Sequence, residues 1–395
     1  MRGHNAMLTR AQQPVRLSAG TFWGTPVRKA VPLALLLVLL ALLTAGTASR
    51  AADTVRADRL DIPELQGAPA SFRDTVLHGR RFLAAARFPE AWGGPVTASD
   101  GEAVTVLVSD AYAVDPAIPQ SAADFLAQLY HGDELSTLTL YLAPLDEVQS
   151  MCGPAAAGCY GSSASRSTII SPGTDLPDGT SVETILAHEY GHHVAQSRDN
   201  APWQAVDWGT KRWASYANVC ARQVKGTAFP GNEGESYYLN PGEAFAESYR
   251  LLNFQRGGWE SWIPSDWNSD GSFYPDATAL DLVRQDVLEP WTGPQSTTWA
   301  GRLVQSKIKA KAKAKPKRIR LAPLKRTIAT TLDGVVTVTL DRAPAGTTVS
   351  LSDESGAILV APTNYITYTV CGQRSLLLTV RTTKPGAFSA AIATP

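Results

Sequence analysis

The sequence predicts an α+β domain followed by a small all-β domain, and three observations support this prediction. Between about residues 59 and 299, helical and strand-like hydrophobic patterns mix with scattered glycine and proline, as in an α+β domain long enough to bury its own core. A lysine-rich stretch at 307–318 has almost nothing to bury and is typical of a solvated linker. Beyond residue 334, short apolar runs alternate with turn residues, as in a β-sandwich.

These composition changes divide the chain into four segments. We predict a signal peptide or membrane anchor at residues 1–52, a first domain at 53–303, a basic linker at 304–326 and a β-sandwich at 327–395. Within the sandwich we expect strands at residues 334–340, 348–351, 365–370 and 376–381. No clear propeptide stands out, and residues 53–100 are interpreted as the start of the first domain; the alternative is that they are inhibitory.

The N-terminal segment has the layout of an export signal. Residues 1–29 carry five basic side chains and no acidic one, residues 31–43 are apolar except for Pro32, and small residues follow up to Ala51. This order favours a secretory signal that is cleaved close to residues 48–52. An uncleaved anchor is the alternative, because the apolar stretch approaches the length of a membrane span. Either interpretation places the remainder outside the cytoplasm.

Cysteine usage agrees with export. The 4 cysteines are Cys152, Cys159, Cys220 and Cys371, and an even number in an exported chain predicts disulfides. Cys152 and Cys159 flank a short loop and could bridge it, which would leave Cys220 with Cys371. Three pairings remain open at this point. A cysteine zinc site is not expected, because the chain has no C-x-x-C pair.

An H-E-x-x-H motif runs from His188 to His192 in a predicted helix. Thr180 and Glu183 fit a capping box at the start of that helix. One helical turn places the two imidazoles on the same side, where they form half of a zinc site. Glu189 can then reach a water molecule held by the metal. The alternative is the polar face of an amphipathic helix.

A third metal ligand must come from elsewhere. His193 is the last histidine of the chain, and it points about 100° away from His192 on a helix, so it is a neighbour and no ligand. A second predicted helix begins with Asn240 as N-cap and carries Glu243 and Glu247 on one face. One carboxylate would bind the metal and the other would hold a histidine by its second ring nitrogen. Alternatively, Glu243 completes a capping box with Asn240 and Glu247 becomes the ligand.

The combination of H-E-x-x-H with Glu243-x-x-x-Glu247 some fifty residues later resembles the gluzincin clan of zinc metallopeptidases, which includes thermolysin. The resemblance implies a zincin-like catalytic domain, with His188, His192 and Glu243 as zinc ligands. It makes Glu189 the general base and Glu247 the acidic residue behind the ligands. The C-terminal β-sandwich resembles domains found at the end of secreted bacterial peptidases, which implies an accessory role.

The same resemblance implies two further features. Gluzincins often add a tyrosine or histidine that stabilises the oxyanion, and Tyr237 or Tyr238 precedes Glu243 closely enough to serve. They also bind the substrate backbone along an exposed edge strand before the active-site helix. Residues 138–142 are the first candidate for that strand and residues 167–170 the second. The alternatives are half-buried packing tyrosines and ordinary internal strands.

Other ligands have less support from the sequence. Residues 266–271 match the first half of an EF-hand loop, but Ala277 stands where the loop needs a bidentate glutamate. A turn explains the same residues, so calcium is a secondary expectation. The net charge is zero and gives no argument for a nucleic-acid partner. We expect a monomer that touches the membrane only through its N-terminal segment.

The sequence therefore predicts a secreted zinc metallopeptidase, an endopeptidase that acts on peptides or proteins. The alternative is an exported protein on a metalloprotease-like scaffold that binds or adheres without cutting. In a related version of that alternative, the 10 tryptophans and the β-sandwich carry the function and the H-E-x-x-H motif is incidental.

Overall fold

The computed structural model describes residues 73–79, 88, 90–163, 166–259, 262–263, 267, 271–304 and 321–395. The predicted export signal and most of the predicted basic linker lie outside these residues. The described part has an α+β fold with separate C-terminal sheets, as predicted. Within the described ranges, no helix has the length and apolar character to cross a membrane.

A mixed six-stranded sheet organises the first region. Its strands are β1 (Val76–Leu77), β2 (Ala91–Thr97), β3 (Ala103–Ser109), β4 (Leu138–Ala143), β5 (Cys159–Ser163) and β6 (Arg166–Pro172). The order across the sheet is β1-β5-β6-β4-β3-β2. Strand β4 pairs in parallel with β3 and β6, whereas β5 runs antiparallel to β6 and in parallel with β1. The outer strand at one side is therefore the two-residue β1, laid against β5.

This topology corrects the expectation of a substrate-binding edge strand at residues 138–142. Strand β4 contains these residues and lies inside the sheet, between β3 and β6. The second candidate, residues 167–170, belongs to β6 and also has neighbours on both sides. Alternating apolar residues predict which residues form a strand. They do not predict which strands pair with it, because strand pairing joins residues that are far apart in the sequence. The ordinary internal strand was the correct alternative.

Helices cover the sheet and carry the motif residues. They are Ala117–Gln128, Leu145–Cys152, Val182–Gln196, Ala205–Trp208, Lys211–Tyr216, Val219–Val224, Pro241–Gly257 and Ala277–Leu288, with 3₁₀ turns at Asp133–Thr137 and Tyr237–Leu239. We call Val182–Gln196 the histidine helix and Pro241–Gly257 the glutamate helix. A two-stranded ribbon, β7 (Asp199–Asn200) with β8 (Trp203–Gln204), follows the histidine helix.

The starts of the two named helices test the capping predictions. Asn240 caps the glutamate helix as expected, because its side chain accepts a hydrogen bond from the amide of Gly242 at 3.1 Å. The histidine helix is capped by Ser181, which accepts from the amide of Thr184 at 3.2 Å, and the prediction of Thr180 was wrong by one residue. Thr180 instead takes part in a turn in which its amide donates to Asp178. Both helices therefore have a fixed start close to their functional residues.

Gly191 allows the histidine and glutamate helices to cross at very short distance. A Cβ atom at Gly191 would lie only 2.8 Å from the Cα of Ala246 and 3.1 Å from its carbonyl oxygen. Neither backbone atom can move aside without displacing its helix. The glycine inside the H-E-x-x-H motif therefore sets how closely the two sets of functional side chains approach.

Two four-stranded antiparallel sheets form the C-terminal β-sandwich. One has the order β10-β15-β12-β13 and the other β14-β11-β16-β9. The strands are β9 (Gln295–Leu303), β10 (Leu324–Ala329), β11 (Gly334–Arg342), β12 (Thr348–Ser352), β13 (Ile358–Thr363), β14 (Tyr365–Val370), β15 (Ser375–Arg381) and β16 (Gly386–Thr394). Buried residues of both sheets share one core, including Val336, Val338, Val349 and Leu378. The four predicted strands correspond to β11, β12, β14 and β15.

The predicted limits of the β-sandwich need correction on both sides of the lysine-rich stretch. Strand β9 was assigned to the first domain, but it pairs along its whole length with β16 and so belongs to the sandwich. Strand β10 begins at Leu324, inside the predicted linker. The chain thus contributes one sandwich strand before the lysine-rich stretch and the remaining seven after it. Local pattern could not show this, because β9 is mostly exposed and its partner is the last strand of the chain.

Two disulfides resolve the pairing that the sequence left open. Cys152 is bonded to Cys159, which closes the short loop before β5, and Cys220 is bonded to Cys371. The second bond links a helix of the first region to the sandwich across a sequence separation of 151 residues. Beside it, Arg374 donates to the carbonyl of Ser215 at 3.0 Å. The sandwich is therefore fastened covalently to the region that carries the motif residues.

Candidate metal centre

Four side chains converge between the histidine and glutamate helices. His188, His192, Glu243 and Asp74 offer ligand atoms that all lie within 4.8 Å of one another. All four residues are buried, with exposed fractions of 2% or less. The sequence predicted three of them. A buried cluster of two imidazoles and two carboxylates could hold a metal ion.

The spacing of the four ligand atoms fits a tetrahedral site. Ligand bonds of about 2.0–2.1 Å around zinc place neighbouring ligand atoms about 3.3 Å apart. Oε2 of Glu243 lies 3.2 Å from Nε2 of His188 and 3.3 Å from Nε2 of His192. Oδ2 of Asp74 lies 3.1 Å from Nε2 of His192 and 3.7 Å from Nε2 of His188. The four distances therefore bracket the edge length of a zinc tetrahedron.

Several of these buried atoms have no hydrogen-bond partner among the described residues. They include Nε2 of His192, Oδ2 of Asp74 and Oε1 of Glu243. Buried polar atoms without partners are costly and rare. Nε2 of His192 and Oδ2 of Asp74 are close, yet their geometry does not make a hydrogen bond. Nε2 of His192 and Oδ2 of Asp74 are therefore available to a shared ion, whereas Nε2 of His188 and Oε2 of Glu243 lie within hydrogen-bonding distance of each other at 3.2 Å.

The charges of the cluster residues also favour a bound cation. Burial alone would lower the pKa of His192, but Glu243 and Asp74 raise it to about 10. Burial likewise opposes a charge on His188, yet Asp74, Glu243 and Glu247 raise its pKa well above the usual value. Without a metal, the two histidines would have to take up protons to balance the surrounding carboxylates. A divalent cation can replace those protons, because metal ligands bind in their deprotonated form.

Glu247 lies behind His188, as predicted for a residue that orients a ligand. Its Oε2 is 3.3 Å from Nδ1 of His188, on the side of the ring away from the cluster. Arg250, one turn further along the glutamate helix, donates from Nε to the same carboxylate at 2.9 Å. Burial by itself would raise the pKa of Glu247, but Arg250 and His188 lower it to about 2. The carboxylate therefore stays ionised and holds the ring with Nε2 toward the cluster.

Glu189 lies on the histidine helix beside the two ligands and is fully buried. Neither of its carboxylate oxygens has a hydrogen-bond partner in the described structure. Oε1 sits so close to Gly158 that a Cβ there would approach it to 2.6 Å. Burial and the negative charge of Asp74 raise the pKa of Glu189 well above its ordinary value.

The two candidate tyrosines differ in what their side chains contact. Tyr237 is buried, and its hydroxyl donates to Oδ1 of Asp74 at 2.7 Å. Tyr238 is half-buried, and its ring packs edge-on against Tyr237 and Trp267 at 5.2 Å from each. The hydroxyl of Tyr237 thus reaches a cluster residue. His193 turns away and donates from Nε2 to the carbonyl of Glu134 at 2.8 Å.

Sequence analysis missed two acidic residues at the site. Asp74 is separated from the histidine helix by more than a hundred residues, and nothing in its local pattern distinguishes it from other aspartates. Glu233 lies in the loop before Tyr237 and accepts from the side chain of Asn240 at 3.2 Å. Burial, followed by the charges of Glu243 and Asp74, raises the pKa of Glu233 to about 11. Only tertiary structure brings either residue to the cluster.

The secondary expectation of calcium gains no support from the described residues. Asp276, the acidic residue nearest to the end of the expected loop, caps the helix Ala277–Leu288 by accepting from Ala279 at 2.7 Å. Residues 266 and 268–270 lie outside the described part. A second acidic group contains Asp100, Glu102 and His131, but its members are partly or fully exposed. It lacks the buried, partnerless atoms of the first cluster.

Comparison with models of known protein families, and with curated proteins, finds no match for this chain. The resemblance to gluzincins therefore stays a prediction that rests on the motif residues and on the geometry described above.

Proposed function

We propose that this chain is an exported zinc-dependent metallopeptidase that hydrolyses peptide bonds. The observation that carries the proposal is the convergence of His188, His192 and Glu243 in one buried cluster. The carboxylate of Glu189 lies beside it, without a hydrogen-bond partner among the described residues. Two imidazoles with carboxylate oxygen are ligands that zinc commonly takes in hydrolytic enzymes. The two disulfides fit an oxidising compartment, which agrees with export.

Each of the named side chains has a role in such a reaction. Bound zinc would polarise the peptide carbonyl and acidify a water molecule. Glu189 would accept a proton from that water and pass it to the leaving amine. The hydroxyl of Tyr237, which donates to Asp74 in this structure, would donate to the developing oxyanion. Glu247, fixed by Arg250, keeps the ring of His188 in place.

One observation favours a second candidate, an exported binding protein in which the metal only stabilises the fold. Asp74 supplies a fourth ligand atom, and all four ligand residues are buried. Structural zinc sites are closed in this way, whereas catalytic sites keep one position open. The two functions therefore differ in whether Asp74 can leave the cluster.

The test uses the zinc-loaded chain and a variant, here called the released variant, with the substitutions Asp74→Ala, Val76→Ser and Leu77→Ser. These changes remove the fourth ligand and two buried apolar side chains of the segment over the site. Both proteins digest a proteome-derived peptide library, with and without a chelator, and cleavage products are identified by mass spectrometry. We expect cleavage by at least the released variant, its loss with the chelator and its return with added zinc. A folded, zinc-loaded released variant that cuts nothing would overturn the proposal and leave the binding protein.

A further inference from the structure

Residues 73–79, which we call the strap, lie across the candidate metal centre. The strap forms β1 in its middle, and β1 pairs in parallel with β5 so that Val76 is opposite Tyr160 and Leu77 opposite Gly161. Main-chain hydrogen bonds continue on both sides of Asp74. The amide of Ala157 donates to the carbonyl of Arg73 at 2.8 Å, and the amide of Tyr160 donates to the carbonyl of Thr75 at 3.3 Å. The strap is therefore bound in extended form, as a peptide is bound at a sheet edge.

The side chains of the strap connect it to three different parts of the site. Asp74 points into the cluster, where Oδ2 is 3.1 Å from Nε2 of His192 and Oδ1 accepts from Tyr237. Val76 and Leu77 are buried in two separate apolar clusters, one on each side of the sheet edge. At the far end, Nε2 of His78 lies 3.3 Å from Oδ1 of Asp207, across from β5.

We propose that the strap is an internal inhibitor that occupies the peptide-binding groove of this enzyme. Asp74 then fills the coordination position that a catalytic zinc site must keep open. This inference rests on the proposed function and adds to it the position and the class of the substrate. The fold described here is the latent form, and the active form arises when the strap leaves the groove.

The location of β5 identifies the substrate as an extended peptide. Without β1, strand β5 would be the free edge of the sheet, since its other side is taken by β6. The amide of Tyr160 in β5 and the amide of Ala157 just before it already bind the carbonyls of an extended chain. A substrate backbone in the place of the strap would pass beside the cluster. The space that the Asp74 carboxylate fills between His192 and Tyr237 would then be open to the substrate. We therefore assign the substrate-binding edge to β5, in place of the residues 138–142 that the sequence suggested.

The intact chain is expected to remain latent against ordinary substrate concentrations. A tethered segment has an effective concentration on the order of millimolar at its own site, so a peptide present at micromolar levels competes poorly. The exposed fraction of the cluster residues, 2% or less, shows that the site is closed while the strap is in place. Activation thus requires a change in the strap and cannot come from substrate binding alone.

Coordination is tested with Co²⁺ in place of zinc, because the visible spectrum of Co²⁺ reports its ligands. Acetohydroxamate, a small metal-binding probe, is titrated into the Co²⁺-loaded wild-type chain, the Asp74→Ala variant and the matched control Asp110→Ala, which removes an exposed aspartate. We expect the probe to shift the spectrum of Asp74→Ala at concentrations at least about tenfold lower than for the other two. Equal responses in all three proteins would overturn the assignment of Asp74 as a ligand.

Hydrolysis then distinguishes this inference from the proposed function. We expect the zinc-loaded released variant to cut the peptide library at least about tenfold faster than the wild-type chain, with similar zinc content. Equal cleavage rates would overturn the inhibitory role of the strap and leave the peptidase intact. If the probe behaves as expected but neither protein cuts, Asp74 is a ligand of a non-catalytic site and the proposed function fails. Thermal unfolding of each variant shows that the proteins compared are folded.

Discussion

Replacing Glu189 by glutamine in the released variant is expected to lower kcat/KM by about 10²–10⁴-fold, which is the usual contribution of a general base. Glutamine has almost the same shape but cannot accept a proton from water. Glu189 contributes no atom to the four-ligand cluster, so zinc content should stay at about one per chain. The measurement is kcat/KM on a peptide found in the library digest, together with metal analysis of the same sample.

Glu183→Gln is the matched control for this experiment. Glu183 lies in the first turn of the same helix, and its side chain is exposed. We expect this variant to retain full activity and full zinc content. Hydrolysis that survives Glu189→Gln would contradict the role assigned to Glu189, even if zinc is bound where we expect it.

The second large effect concerns the ligands themselves. His192→Ala is expected to reduce bound zinc from about one per chain to near zero after dialysis. The substitution removes an imidazole whose Nε2 lies close to the carboxylates of both Asp74 and Glu243. Glu247→Ala should weaken zinc binding by only about 10–100-fold, since Glu247 acts through His188. Zinc is measured by elemental analysis after equilibration with a buffered metal solution.

His131→Gln serves as the control for adventitious binding. His131 belongs to the partly exposed group with Asp100 and Glu102, the other described set of side chains that could hold a metal ion. We expect this variant to keep its zinc. If His131→Gln loses zinc and His192→Ala retains it, the metal binds at the exposed group and the candidate centre is wrong.

Local sequence patterns predicted the parts of the site that lie on the two helices. Helical spacing brings His188 and His192 to one side, and the N-cap Asn240 with Pro241 places Glu243 one turn into its helix. The same spacing puts Glu247 within reach of His188. These features depend on neighbours three or four residues away, so they are visible in the sequence alone. The fold class followed from the same kind of pattern.

Features that depend on distant pairing were missed or wrong. The position of β4 inside the sheet and the pairing of β9 with the last strand of the chain are determined by tertiary contacts. Asp74 reaches the cluster because β1 pairs with β5, and a two-residue strand leaves almost no periodic signal. The contact of Asp74 with the cluster could therefore not be read from the sequence around it.

One divalent metal ion should be held between the histidine and glutamate helices. Crystals of the zinc-loaded protein, measured on both sides of the zinc absorption edge, test this directly. We expect a single strong anomalous peak about 2.0–2.2 Å from Nε2 of His188, Nε2 of His192 and a carboxylate oxygen of Glu243. A peak at another place, or none in a protein shown to be zinc-loaded, would contradict it.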